Sequence, residues 1–401
     1  VRRMLGVGGV VGVLSVAAWA GEPKPPAPDP QKPVNYIAWI NETFGGNVKN
    51  NAFDTYQAAY KFITPFEGEW GDTTDKPWTE NAPVAEWLRR NQRGLEKFKE
   101  AAAQKECFFA LIDPGPSQFG PREEHWLSPK VLMPPTEAHR DAVRGLLAEG
   151  FQAWAAGDRD KLAPNAVLAL RSGCHLNTSP LTVVRLYGGA TAASAYDALL
   201  AALDLSEDRD AFAAALLPKL EGLDPLAVPL SRVVLTERIA AWEPYQRRVP
   251  DAEQLQQANA YYDAVEEWLA VPYWRARPQE DRLTQMLEGA KGTANEILFC
   301  PLSRPRELDT RMLAVHRATH LILRLHVYHK ENGKFPPSLD ALEGGDIGPL
   351  RIDPFSGDPF VYQKRRASFK LYTVGVNLTD DGGQHDERWR EKDYVFWPRK
   401  D

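Results

Sequence analysis

The spacing of apolar residues changes once along this chain, and that change limits the fold more than any other feature. Up to about residue 299 the spacing is helical: Phe53, Tyr56, Tyr60 and Ile63 in one run, Val84, Trp87, Leu88, Leu95 and Phe98 in the next. Such intervals place the side chains on one buried face of an amphipathic helix. A last apolar helical run spans Asp309 to Asn332, and short strand-like runs follow, FVYQK, SFKLYTVG and DYVFW. The pattern predicts a mainly α protein. A multi-helical, hairpin and solenoid-like body over residues 35–304 precedes a small α+β unit over 305–401, a long helix on a short antiparallel sheet.

Arg2 and Arg3 precede an apolar stretch from Met4 to Ala18, and Ala18-Trp19-Ala20 offers a small-x-small cleavage site. Residues 1–20 therefore read as a secretory signal peptide, with an uncleaved anchor as the alternative. Residues 21–34 form a Pro-rich tether, GEPKPPAPDPQKP and its flank, whose composition favours extended polyproline conformations. The expected location is the periplasm or cell envelope of a bacterium, with no stable membrane span after cleavage. A net charge of −6 without a basic block disfavours nucleic acid and anionic membranes. Cys107, Cys174 and Cys300 have no metal-ligand spacing; they read as small buried hydrophobes, with one disulfide and one thiol as the alternative.

Within the body, Cys107 to Pro135 is rich in proline and reads as a long ordered loop. Val143, Leu146, Leu147, Phe151 and Trp154 line a helix ended by Gly157-Asp158, and Leu162, Ala166, Ala169 and Leu170 line its partner. The pair resembles a tetratricopeptide unit, although no period of about 34 residues runs through the chain. Ser179 is the expected N-cap of a helix starting at Pro180, and Ser206 that of the helix carrying Phe212, Leu216 and Leu220.

Two places could hold metal chemistry. His316 and His320 lie four apart on one helix face, the geometry of a two-imidazole site. Arg317, Ala318 and Thr319 lie between them, so no general base is placed as in H-E-x-x-H, and packed histidines are the plainer reading. His326 and His329 point to another side. The acidic loop after the second strand carries Asp380, Asp381, Asp386 and Asp393, hard oxygen donors of the kind calcium takes, with Gly382 and Gly383 for tight turns. A solvated acidic turn fits that composition too. No nucleophile elbow, P-loop or dinucleotide fingerprint occurs. The Glu123-Glu124 and Glu266-Glu267 pairs read as solvated faces.

The order helix, ENGKFPPSLDAL, DPFSGDPFVY, FKLYTVGVNLTDDGG and DYVF resembles the periplasmic part of the type II secretion major pseudopilin. The matching residues include Gly333, Phe335, Pro336, Leu339, Asp353, Pro354, Gly357, Pro359, Leu371, Tyr372, Gly375, Gly382, Gly383 and Asp393. This resemblance covers roughly the last 90 residues. It implies a helix packed on a small antiparallel sheet and a calcium site at Asp380, Asp381, Asp386 and Asp393. One departure is Gly375-Val376-Asn377, where the family has an aspartate. Another is the helical body in front, which is incompatible with ordinary pseudopilus assembly. The whole arrangement also looks like secreted proteins of planctomycete-type bacteria in which a helical body precedes such a tail. The expected function is a non-enzymatic envelope scaffold that binds envelope or secretion-system proteins. The alternative is an exported metal-dependent hydrolase with its site in the body or near His316 and His320.

Overall fold

A computed structural model describes residues 23–29, 31–32, 34–112, 135–247, 252–291, 299–342 and 347–399. The expected signal peptide, Glu123-Glu124 and most of the proline-rich loop before Pro135 lie outside the described residues. Among these, the chain is mainly helical and carries one three-stranded antiparallel sheet. The helices are α1 (Tyr36–Gly45), α2 (Ala52–Tyr60), α3 (Ala82–Ala103), α4 (Thr136–Ala155), α5 (Leu162–Leu176), α6 (Thr182–Leu205) and α7 (Arg209–Leu216). They continue with α8 (Leu230–Arg247), α9 (Ala252–Leu269), α10 (Arg277–Ala290), α11 (Ser303–Asn332) and α12 (Ile347–Arg351). The strands β1 (Val361–Lys364), β2 (Phe369–Thr373) and β3 (Tyr394–Trp397) lie in the order β1-β2-β3. No described helix is long and apolar enough to cross a membrane.

Local sequence explains where the early helices start. Asn35, Asn51 and Asn81 accept backbone N–H groups of Ala38, Phe53 and Val84, and Asp208 accepts that of Ala211. Each such cap stabilises its helix by about 1 kcal/mol. Two expected caps are corrected. The helix expected at Pro180 starts at Thr182 with no side-chain cap, and Ser179 lies in the preceding turn. Ser206 ends α6, its hydroxyl donating to the Ala202 carbonyl, while Asp208 caps α7. The helix starts at Arg209, which puts Asp208 rather than Ser206 at the capping position.

Glycine sets the closest helix crossing. A Cβ on Gly188 of α6 would lie 2.1 Å from Asn177 Oδ1, and one on Gly173 of α5 would lie 2.9 Å from the Gly188 carbonyl. Gly188 and Gly173 thus let two backbones approach where side chains would hold them apart.

One apolar core joins the body to the last hundred residues, with Tyr196, Leu199 and Phe151 in the same cluster as Leu321, Phe369 and Trp397. A smaller cluster lies around Tyr262, Val265 and Trp268 between α8, α9 and α10. Helix α11 connects the parts, packing against α6, α7, α12 and strands β2 and β3. Its Arg306 donates to the carbonyls of Trp268 in the last turn of α9 and of Val271 just beyond it. Asp309 accepts from Nε and Nη2 along one edge of the buried Arg185 guanidinium of α6, at 2.7 to 3.2 Å. Arg317 reaches the Ile352 carbonyl at 2.7 Å.

The Asp309→Ala substitution should lower unfolding free energy by about 3 kcal/mol, because it leaves Arg185 buried without a counter-charge. Chemical denaturation measures this. A loss below about 0.5 kcal/mol, the range of exposed pairs, contradicts it.

Candidate functional site

The acidic loop gives its four aspartates four different environments. Asp386 is tied into its own turn: its carboxylate accepts the N–H groups of Arg388, Arg390 and Glu391 at 2.7 to 2.9 Å. Those donors hold its carboxyl down at about 2. Asp393 is fully buried; one oxygen accepts the Gly383 N–H at 2.6 Å, and the other has no partner. Burial raises its carboxyl, backbone donors oppose this, and the neighbouring Asp380 and Asp381 charges raise it further. Asp380 accepts from the Tyr372 hydroxyl and the Gly382 N–H, both at 2.9 Å.

Asp381 is bridged by Asn377, the residue that stands where the pseudopilin pattern has an aspartate. The Asn377 amide donates to Asp381 at 2.8 Å and to the Glu391 carbonyl at 2.6 Å. Lys370 likewise donates to the carbonyls of Gly382 and Gly383, at 3.3 and 2.8 Å. Nitrogen donors of the chain thus sit among oxygens that a cation could share. Among the described residues, no three His, Cys, Asp or Glu side chains are gathered around one point as metal ligands would be. The unpartnered, buried Asp393 oxygen still fits a hard cation. An anionic acceptor left without a donor in a buried site is costly, and Asp380 and Asp381 lie beside it.

The histidines of α11 face two directions, as their spacing implies. His316 hydrogen-bonds to the Tyr196 hydroxyl at 2.6 Å, and its ring lies 4.6 Å from that of His320. Burial holds these imidazoles neutral, at about 4 for His316 and about 3 for His320, and His320 Nε2 has no partner. On the other side, His326 and His329 reach the two oxygens of Asp210 in the first turn of α7, at 2.8 and 2.5 Å. This clamp fastens α7 to α11 beside Phe335, Phe369 and Trp397.

Two further tyrosine–histidine pairs lie in the body and carry no signature in the sequence. Tyr56 meets His175 at 3.0 Å, and Tyr60 meets His139 at 2.8 Å; Ser172 stands 3.2 Å from the other nitrogen of His139. The Ser172–His139–Tyr60 chain has the composition of a nucleophile relay but is buried, and Ser172 donates back to the Ala169 carbonyl. Its chemistry is that of a satisfied polar core. Cys107, Cys174 and Cys300 are free, and burial raises each thiol, to about 12 for the last two. Glu266 and Glu267 serve separate ion pairs, with Arg238 and Arg282.

A cleft of about 330 Å3 opens where α6, α11 and the loop before β3 meet. Gly189, Ala190 and Ala193 form one side, Met312 and Val315 another, and Trp389 and Tyr394 a third. The two aromatic rings stack at 3.9 Å. Trp389 has a left-handed backbone, φ +56°, a conformation costly for a bulky side chain. Asp386 imposes it by gathering the surrounding N–H groups, and Arg311 holds it by donating to the Trp389 carbonyl at 2.9 Å. The chain matches no protein-family model, no curated protein and no solved structure.

The buried imidazoles make stability depend on acid. His139 and His320 are held near 3, His175 and His316 near 4, whereas an unfolded imidazole binds its proton near 6.5. The unfolded chain therefore binds more protons below about pH 6.5, and stability present above that pH is lost as pH falls toward 4. Each imidazole contributes on the order of 1 kcal/mol per pH unit in that window. Denaturant midpoints should fall steadily from pH 7 to 5, with a shallower slope in His320→Leu. A flat profile contradicts this assignment.

Proposed function

We propose that this chain is a non-enzymatic exported protein of the cell envelope. Its helical body serves as a scaffold for envelope or secretion-system proteins, and its C-terminal unit is pseudopilin-like. The observation that carries this reading is the backbone of the motif glycines. Gly333, Gly357, Gly375, Gly382 and Gly383 all adopt positive φ, the conformation that makes glycine necessary at a turn. The motif aspartate Asp353 supports it further. Buried beneath the Pro354–Gly357 turn, it accepts from Phe355, Thr373 and Val374 and so ties that turn to the end of β2. The long helix against an antiparallel sheet agrees with the same pattern.

Calcium belongs to this proposal as a steadying ion of the loop carrying Asp380, Asp381, Asp386 and Asp393, whose side chains would close in around it on binding, starting from the unpartnered Asp393 oxygen. When bound, it would supply the charge that the free Asp393 oxygen lacks. A metal-dependent hydrolase is the second reading, favoured by the two neighbouring neutral imidazoles and the unpartnered His320 nitrogen. That reading requires stoichiometric zinc that disappears in His316→Ala/His320→Ala.

In-cell crosslinking should join the helical body to components of the envelope or secretion apparatus. A chain that stays in the cytosol with its leader uncleaved overturns the proposal. For the ion, calcium at 100 times its dissociation constant stabilises by about 2.7 kcal/mol, a rise of a few degrees in Tm. The rise should vanish in Asp381→Ala and Asp393→Asn. Identical melting in calcium and in chelator would remove calcium from the account.

A further inference from the structure

We propose that the cleft between α6, α11 and the loop before β3 binds a small organic cation, a protonated amine or guanidine on an apolar stem. Its volume, about 330 Å3, is at the lower end of ligand pockets. The stem would lie against Leu186, Ala193, Leu308, Met312 and Val315, with the stacked Trp389–Tyr394 pair as the facing wall.

The charges around the cleft choose the sign of the ligand. Arg185 is buried and bound to Asp309 and to the Val228 carbonyl. Arg311 is bound to Glu307 and to the carbonyls of Arg388 and Trp389. Every nitrogen of Arg185 is engaged, and the one unpartnered donor of Arg311, its Nε, is buried away from the solvent from which an anion would come. Asp197 and Glu387 line the same cleft, and burial raises the Asp197 carboxyl to about 6, so that it is ionised at neutral pH. Arg399 donates to the Asp197 carbonyl and lies 4.0 Å from its carboxylate, so it offsets part of one of these charges. Among the described residues Glu387 makes no hydrogen bond or ion pair, and it also lines a neighbouring hollow together with Arg388, Arg390 and Lys392. The Tyr394 phenol reports the resulting field. Burial raises it first, and Asp197 and Glu387 raise it further against the opposing Arg399. A cation at the mouth therefore meets two carboxylates and a phenol oxygen, while its stem leaves water.

The order of the site supports a ligand rather than a chance hollow. Trp389 is held in a costly backbone conformation, and Asp386 and Arg311 together maintain it. Without that conformation the indole would not line the cleft beside Tyr394.

Calorimetric titration of the full chain with benzylamine tests the proposal, with benzoate as a probe of similar apolar bulk and opposite charge. Saturable binding of benzylamine at one site is expected, with no binding of benzoate. Asp197→Asn/Glu387→Gln should weaken benzylamine at least about tenfold while the circular dichroism of the folded chain stays that of the parent. Equal binding of benzoate, no saturable benzylamine binding up to about 10 mM, or an unaltered affinity in the double variant each overturns it.

Discussion

The thirty residues of α11 hold this molecule together through polar side chains that each engage a different neighbour. Arg306 satisfies the end of α9, Asp309 neutralises Arg185 of α6, His316 meets Tyr196, Arg317 takes the Ile352 carbonyl, and His326 with His329 fixes Asp210 of α7. A helix of this length spans about 45 Å, enough to serve body and sheet at once. Drawing α11 and its sheet away from the body would leave Arg185 buried without a counter-charge and the Val271 carbonyl without the Arg306 donor. Both penalties exceed the worth of an ordinary surface contact. The C-terminal unit is therefore built into the body's core rather than appended to it.

The same helix explains the state of the histidines. An imidazole packed among helices loses hydration on protonation, and burial is the first cause of the low values at His316 and His320. His326 is also pulled down by burial, but Asp210 opposes it with a hydrogen bond and a charge. Identical side chains on one helix thus differ according to whether a carboxylate stands opposite. The acidic loop repeats the lesson with aspartates. Asp386 is exposed to N–H donors and held low, whereas Asp393 is buried with an empty oxygen and raised. Composition placed all four carboxylates in one class, and their surroundings divide them.

Local pattern was enough to read most of the fold. Apolar periodicity located the helices from Phe53 to Trp154, and alternating runs located β1, β2 and β3. Gly157 ended α4 where the turn was expected, with φ +91°. The errors were local ones that periodicity does not resolve: the helix after Leu205 starts at Arg209 with Asp208 rather than Ser206 as its cap, and the helix after Ser179 starts at Thr182. The site was less legible because its partners are remote. Asp309 and Arg185 are 124 residues apart, His326 and Asp210 116, and Tyr56 and His175 119. No spacing rule links such pairs; only the folded helices bring them together. The cleft shares this origin, since its walls come from three separate stretches of chain.

The central claim is that the last hundred residues and the helical body form one cooperative structure around α11. Hydrogen exchange at intermediate denaturant, read peptide by peptide, tests it most directly. The account predicts that the amides of β2, α6 and the middle of α11 exchange through a single opening, with one free energy and one denaturant dependence. Exchange of β1, β2 and β3 through a separate, lower-energy opening, with α5 and α6 still protected, would contradict it.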